Sequence, residues 1–212
     1  MKRIAIQGIK GSYHDMAAHY FFDKEDIELI CCSTFEEVFA TVKDDSTVLG
    51  MAAIENTIAG SLLHNYELLC DSGLTIVGEH KLRISHSLLC LPDDNIEDIT
   101  EVHSHPVALM QCREFLARHP RLKVVEGEDT AGSAEIISRE QLRGQAAICS
   151  KFAAPLYGMK VLEEGMSFSV IFLFIWIFCR TFANENLNSF PSPLSHITFI
   201  INIVIILPVV PG

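Results

Sequence analysis

Short apolar segments alternate with amphipathic segments through the first 165 residues of the chain. Residues 48–54 form a nearly unbroken apolar run, which is expected for a strand buried on both faces of a sheet. Similar short runs occur at residues 3–7, 27–32 and 146–150, and helical patterns lie between them. This alternation predicts an α/β fold with mainly parallel sheets and helices on both faces.

A long extended segment at residues 74–90 interrupts the alternation near its middle. We interpret it as the place where the chain crosses from one lobe to another. Lobe one then covers about residues 1–76 and lobe two about residues 77–160, with a cleft between them.

Charge and cysteine content restrict the partners and the compartment. The formal net charge of −11 argues against nucleic acid and against an anionic membrane surface, because both require clustered Lys and Arg. An acidic small molecule would have to be held locally, by backbone N–H groups or a few placed cations. None of the seven cysteines forms a C-x-x-C pair, and the N-terminus enters a strand without a signal-peptide core, so we expect free thiols in the cytoplasm.

The pattern changes after Gly165. Residues 168–178 and 197–210 are apolar on every face, and each run is shorter than the ~20 residues that a membrane-spanning helix needs. We therefore assign residues 1–165 to the enzyme-like domain and residues 166–212 to an apolar tail outside it. A shifted reading frame near codon 165 would explain the tail, and a membrane-associating segment is the alternative.

Polar residues follow the predicted strands at four places, and ligands in open α/β sheets bind where strands end. The loop from Gly8 to Ser12 has N–H groups that could hold a carboxylate, although a plain strand–helix turn explains it equally well. In the second stretch, Glu55 is a candidate acid or base, and Asn56 and Thr57 could orient a substrate oxygen. A cluster that caps the next helix is the alternative for these three residues.

The other two stretches lie in the second lobe. His103 and His105 would share one face of a strand, but no third ligand has useful spacing, so anion binding by Ser104 and the following helix is the better interpretation. In the last stretch, Asp129 or Thr130 caps a helix that has Ser133 in its first turn.

Together these stretches resemble the signature blocks of the prephenate dehydratase family, in order and in spacing. The matching blocks are GIKGSYHDMAA, AAIENTIAGSLLHNYELL, HSHPVALMQC, DTAGSA and AAICSKFAAPLYGMKVL. The resemblance implies a two-lobed fold like type 2 periplasmic binding proteins, with the active site between the lobes. It also implies conversion of prephenate to phenylpyruvate, with loss of water and carbon dioxide, in phenylalanine biosynthesis.

The resemblance also implies roles for individual residues. It implies no cofactor, no metal and a homodimer, and it maps Glu55, Asn56 and Gln111 onto positions tied to activity. The expected substrate-binding residues are Ser12, Tyr13, Thr57, Ser61, Ser104, His105, Thr130 and Ser133. Of these, Ser12, Ser104 and Thr130 lie at helix N-termini, which could hold the two carboxylates of prephenate.

One family block is missing. A strand ending in Thr-Arg-Phe should follow residue 165, its threonine being central to dehydration, and the family's regulatory ACT domain is absent as well. The string Arg180-Thr181-Phe182 has a permuted order, which would put the threonine on the opposite strand face. We therefore expect a first sheet left incomplete, with an open edge, and a poorly soluble chain with little activity. A carboxylate-binding module without catalysis and a membrane-associated fragment are the alternatives.

Overall fold

A computed structural model describes residues 1–23, 25–56, 60–167 and 171–179, which belong to one compact unit, Met1–Thr181. The strands are β1 (Lys2–Gln7), β2 (Ile27–Cys32), β3 (Val48–Asn56), β4 (Gly60–Ser61), β5 (Thr75–Ile84), β6 (His86–Cys90), β7 (Glu101–Ser104), β8 (Lys123–Glu126), β9 (Gln145–Ser150), β10 (Lys160–Glu164) and β11 (Ile171–Cys179). The helices are α1 (Tyr13–Phe21), α2 (Phe35–Asp44), α3 (Leu63–Ser72), α4 (Pro106–Gln111), α5 (Arg113–Arg118), α6 (Thr130–Glu140) and α7 (Ala153–Leu156).

The strands form two sheets, one in each lobe, as the sequence predicts. The first has the order β2-β1-β3-β11-β5, with β4 paired to β3, and the second has the order β10-β6-β9-β7-β8. Parallel pairing holds for β2-β1-β3 and for β9-β7-β8. The strands that carry the chain between the lobes, β5, β6, β10 and β11, add antiparallel pairs.

Alternation along each strand places helices on both faces of each sheet. In β1, Ile4 and Ile6 pack under α1, whereas Ala5 faces the core that α2 and α3 cover. In β9, Ile148 packs under α4 and α5, and Cys149 packs under α6 and α7. The period of two in side-chain direction therefore gives each lobe two separate hydrophobic cores.

The expectation that the first sheet lacks its returning strand is wrong. Strand β11 lies inside that sheet and pairs antiparallel with both β3 and β5. Nine consecutive apolar residues suit this position, because a central strand that is covered on both faces needs no polar side. The family's tripeptide is absent from β11, but a strand occupies the place.

Close packing at the C-terminal end of β11 shows how tightly it fits. Phe178 is 1% exposed, and its ring stacks on Phe39 of α2 with centroids 4.4 Å apart. Gly50 of β3 lies opposite Phe178, where a Cβ atom would overlap the Phe178 ring. Glycine at this position therefore makes room for the aromatic side chain of β11.

The chain passes from the first sheet to the second within the predicted crossing segment, but at residue 85 instead of about residue 76, because all of β5 belongs to the first sheet. Strands β5 and β6 belong to different sheets, and Ser85 alone separates them. The chain returns after β10, where Gly165 has a φ of 69° and the Met166 N–H donates to the His86 carbonyl at 3.1 Å. The outgoing and returning segments thus lie side by side at His86.

Local hydrogen bonds define the helix boundaries. The N-cap of α2 is Thr34, whose hydroxyl accepts from the Glu37 N–H at 3.2 Å, and the Ser33 N–H donates to the Glu37 carboxylate at 2.6 Å. Helix α3 begins only at Leu63, since residues 60–61 first pair with β3. Helices α4 and α5 are separate elements that meet at Cys112.

Two further observations concern the chain as a whole. No helix in the described ranges is long and apolar enough to cross a membrane. The six cysteines other than Cys179 are free, as the sequence predicts, and four of them are buried.

Phe178→Ala tests the role of β11 in the first sheet. Truncating a buried phenylalanine should lower the free energy of unfolding by about 3–5 kcal/mol, measured by denaturant titration. Leu63→Ala is the control, because Leu63 is 69% exposed and its truncation should cost under about 0.5 kcal/mol. Equal effects of the two substitutions would contradict the buried position of β11.

Candidate active site

The carboxyl ends of the parallel strands in the two lobes meet. The loop after β1 contacts the segment after β9: the Tyr157 hydroxyl donates to the Lys10 carbonyl at 2.5 Å. Ala153 is so close to Gly11 that a Cβ atom added to the glycine would lie 3.0 Å from the Ala153 Cβ. The segments that follow the carboxyl ends of β1 and β9 therefore meet at one junction between the lobes.

The loop from Gly8 to Ser12 uses its N–H groups within the protein. The N–H groups of Gly8, Gly11 and Ser12 donate to the Cys32 carbonyl, the Asp15 carboxylate and the Ile9 carbonyl at 2.9, 2.7 and 3.1 Å. Ser12 is the N-cap of α1 and accepts from the Asp15 N–H at 3.3 Å. The loop is therefore a self-bonded turn, and binding of substrate by Ser12 stays a prediction.

Asp15 organises this loop, and the sequence reasoning missed it. Its side chain is 1% exposed, accepts from Gly11 and lies 2.8 Å from Nδ1 of His19. A carboxylate in the first turn of a helix is favourable, and that position was the signal available in the sequence. Asp15 thus fixes the loop just before Tyr13, whose hydroxyl contacts His86 of lobe two.

Tyr13 begins a hydrogen-bonded chain that joins the lobes. Its hydroxyl lies 2.7 Å from Nδ1 of His86, and Nε2 of His86 lies 2.7 Å from Oε1 of Gln111. His86 and Gln111 are each 2% exposed. Burial raises the pKa of Tyr13 well above its usual value and lowers the pKa of His86. Both groups are therefore neutral near pH 7.

Glu55 and Asn56 end strand β3 at the same edge of the first sheet. Glu55 lies opposite Ser61 on β4 and opposite Phe174 on β11, and Asn56 lies opposite Gly60. Glu55 is half-buried, and its charge is the second cause, after burial, of a raised pKa at Tyr66. Thr57 lies outside the described residues.

Helix α3 is bound to β3 just before this pair. The Asn65 amide, 2% exposed, donates to the Ala53 carbonyl at 2.6 Å, and the Leu62 N–H donates to the Ile54 carbonyl at 2.9 Å. These bonds fix the backbone on both sides of Glu55 and Asn56.

In lobe two, the predicted residues lie where β7 and β8 end. Ser104 is fully buried, and its hydroxyl donates to the Ile148 carbonyl of β9 at 2.5 Å. Asp129 is the N-cap of α6, as predicted; Thr130 is the first residue of that helix, and the Ser133 hydroxyl donates to the Asp129 carbonyl at 2.8 Å. Substrate contacts by these residues stay predictions.

His103 and His105 do not share a strand face. Strand β7 ends at Ser104, and His105 is the N-cap of α4, where Nδ1 accepts from the Val107 N–H at 3.2 Å. The following proline starts helix α4, so the strand geometry that would pair the two histidines stops at Ser104. Within the described ranges, no group of three or more potential ligand side chains is placed to hold a metal ion.

A cavity of about 500 Å³ lies beside the junction of the lobes. Its walls are Met16 and Tyr20 of α1, residues 80–83 of β5, Ser85, Ser150 and Lys151. No sequence-predicted site residue lines it. Among the predicted residues, Tyr13 and Gln111 are joined through His86, whereas Glu55 and Asn56 end β3 beside β4 and β11.

The burial of His14 can be tested through the pH dependence of stability. Burial lowers its pKa from 6.5 to about 4, and its ring contacts Phe35 edge-on at 5.5 Å between centroids. The unfolded chain binds a proton below about pH 6.5, whereas the folded chain binds it only below about pH 4. The free energy of unfolding should therefore decrease as the pH is lowered across this window. His14→Leu should remove about 2–3 kcal/mol of the loss between pH 7 and pH 4.5, measured by denaturant titration at both values.

The control for this test is His64→Gln, since His64 is exposed and pairs with Glu36. If His14→Leu and His64→Gln change the pH dependence equally, burial of His14 is not its source.

Comparison with known proteins agrees with this geometry. Residues 4–169 match the family model for prephenate dehydratase. The chain is 39% identical over 165 residues to arogenate dehydratase/prephenate dehydratase 6 of Arabidopsis thaliana, which covers 77% of this chain and 40% of the relative. It is 35% identical over 164 residues to the bifunctional chorismate mutase/prephenate dehydratase of Escherichia coli, covering 76% and 42% of the two chains. The chain thus spans about 40% of the length of these relatives.

Solved structures show the same fold. A structure described as GqqA, a novel type of quorum quenching acylase, superposes with a TM-score of 0.78 at 33% identity and covers 87% of this chain and 66% of that one. The prephenate dehydratase of Arthrobacter aurescens in complex with L-Phe gives a TM-score of 0.74 at 23% identity, covering 87% and 61%. The fold, the order of the blocks and the family match agree: this chain belongs to the prephenate dehydratase family.

Proposed function

We propose that this chain carries the active site of a prephenate dehydratase, which converts prephenate to phenylpyruvate in phenylalanine biosynthesis. The observation that carries the proposal is the family match over residues 4–169, together with Glu55 and Asn56 at the end of the central strand β3. A carboxylate and an amide at such a strand end cost desolvation, which a purely structural role does not repay.

The reaction requires little beyond positioning and one proton. The ring carboxylate leaves as carbon dioxide, its electron pair forms the aromatic ring, and the C4 hydroxyl leaves as water after accepting a proton. Aromatisation supplies the driving force, so the protein must hold the carboxylates and donate to the departing oxygen. In this proposal Glu55 supplies the proton, and Asn56 and Gln111 orient the substrate.

In this proposal, the composition of strand β11 lowers the rate of dehydration. None of its nine residues carries a hydroxyl group, whereas the family places a threonine in the corresponding strand. The substrate would then bind between the lobes without the threonine that assists departure of the hydroxyl. We therefore expect measurable binding of prephenate with slow turnover.

A direct measurement separates the possible activities. Calorimetry should detect binding of prephenate, and ultraviolet absorbance should detect slow formation of phenylpyruvate. Arogenate is the second substrate to assay, because several relatives at 36–39% identity are named arogenate dehydratases. Absence of binding for both compounds would contradict the proposed function, and binding with no turnover would favour a binding module without catalysis.

Phe174→Thr tests the missing hydroxyl. Phe174 is the residue of β11 that pairs with Glu55, so the substitution places a hydroxyl group on the strand position opposite that carboxylate. We expect kcat for phenylpyruvate formation to rise about 10-fold or more, the range of general acid catalysis. Trp176→Thr is the matched control, because Trp176 pairs with Ala52 farther from the strand end.

Glu55→Gln in the Phe174→Thr background tests the proton donor. The gain in kcat should disappear, while the binding of prephenate changes little. Glu67→Gln, on the exposed surface of α3, should keep the gain. A gain that survives Glu55→Gln would remove Glu55 from the proposed mechanism.

Compartment and assembly belong to the same proposal. The free cysteines other than Cys179 suit a reducing compartment, so we propose the cytoplasm. A homodimer is proposed on the family resemblance, and light scattering on the purified chain would test it.

A further inference from the structure

The hydrogen-bonded chain of side chains from Tyr13 to Gln111 has one direction of hydrogen donation, which its contacts determine. The resemblance gives no role to His86, yet His86 is the centre of the chain: each ring nitrogen has a partner at 2.7 Å. His86 is the first residue of β6, and Gln111 is the last residue of α4. The chain therefore runs from lobe one, through the crossing, to the end of a helix in lobe two.

The direction follows from Gln111. The amide oxygen Oε1 can only accept, so Nε2 of His86 must carry the hydrogen. Burial disfavours the charged imidazolium, so the neutral ring has one N–H and its Nδ1 accepts. The Tyr13 hydroxyl must then donate to Nδ1. One acceptor at the end of the chain thereby fixes the tautomer of His86 and the donor role of Tyr13.

Donation in the reverse direction is the alternative. The Gln111 amide would then be turned so that its NH₂ group donates to His86, and the Tyr13 hydroxyl would donate to the Ser85 carbonyl at 3.3 Å. Both directions keep the 2.7 Å contact between Tyr13 and His86, and the first direction is the one that the orientation of the Gln111 amide gives.

The amide nitrogen of Gln111, at the far end of this hydrogen-bonded chain, lacks a partner. Nε2 of Gln111 is buried, and no acceptor for it lies among the described residues. Buried donors without partners cost free energy, and a purely structural chain would end on a protein acceptor. The two hydrogens of this amide are therefore left for an acceptor that the described residues do not supply.

We propose that His86 and Tyr13 are positioning residues that hold Gln111 as a hydrogen-bond donor to an oxygen of the bound substrate, a carboxylate or the departing hydroxyl. This inference rests on the proposed function, because the substrate supplies the acceptor. Tyr13 and His86 act only through Gln111.

The tautomer of His86 is the first test and needs no substrate. Nitrogen NMR on the full chain labelled with ¹⁵N-histidine should show the neutral Nε2–H form near neutral pH. The Nδ1–H form would overturn the donor assignment. Gln111→Leu removes the acceptor that fixes the tautomer, so both tautomers should then be populated. An unchanged tautomer in Gln111→Leu would also contradict the proposal.

Binding of prephenate by calorimetry is the second test. His86→Leu removes the bond to Gln111 and should weaken binding about 10-fold, whereas His86→Gln, which can still donate to Oε1, should weaken it less. His119→Leu is the control, because His119 bonds only the Phe115 carbonyl of its own helix. Unchanged binding by folded His86→Leu would overturn the inference.

Failure of the two proposals can be told apart. If His86 of the unmodified protein has the Nε2–H tautomer but the protein binds neither prephenate nor arogenate, the proposed function fails, while the direction of the hydrogen-bonded chain stands. If the chain binds prephenate but His86 has the Nδ1–H tautomer, the proposed function stands and the inference fails. If His86→Leu does not fold, Tyr13→Phe supplies the binding measurement and should also weaken binding.

Discussion

Insertion of β11 between β3 and β5 is the constraint on which the rest of the structure depends. Without it, β5 would have no hydrogen-bonded neighbour in the first sheet, because β3 and β5 each pair with β11 and not with each other. The position of β5 in turn sets where Ser85 and His86 leave that sheet. The contact between Tyr13 and His86 is therefore a consequence of a strand more than 80 residues farther along the chain.

Much of the architecture was predictable because it depends on local periodicity. The alternation of strands and helices, the crossing at residues 74–90 and the Asp129 cap follow from side-chain spacing and short-range bonding. The same reasoning misjudged residues 171–179. An apolar run without a polar face fits a central strand as well as a segment outside the fold, and only its pairing with β3 and β5 decides between them.

The candidate site was predictable in part, for a related reason. The position of Glu55 and Asn56 at a strand end was predictable because strand ends are visible in the sequence, but His86 lies 73 residues from Tyr13 and 25 from Gln111. No local pattern connects such positions. Asp15 was missed because an acidic residue in a first helical turn is common on surfaces, and its burial depends on the contacts of the loop before α1.

The two connections between the lobes meet at one residue, His86. Its carbonyl accepts the Met166 N–H of the returning segment, and its ring joins Tyr13 to Gln111. A rotation of one lobe against the other about Ser85 would therefore strain the contact between the Tyr13 hydroxyl and the imidazole, and with it the hydrogen bond that orients the Gln111 amide.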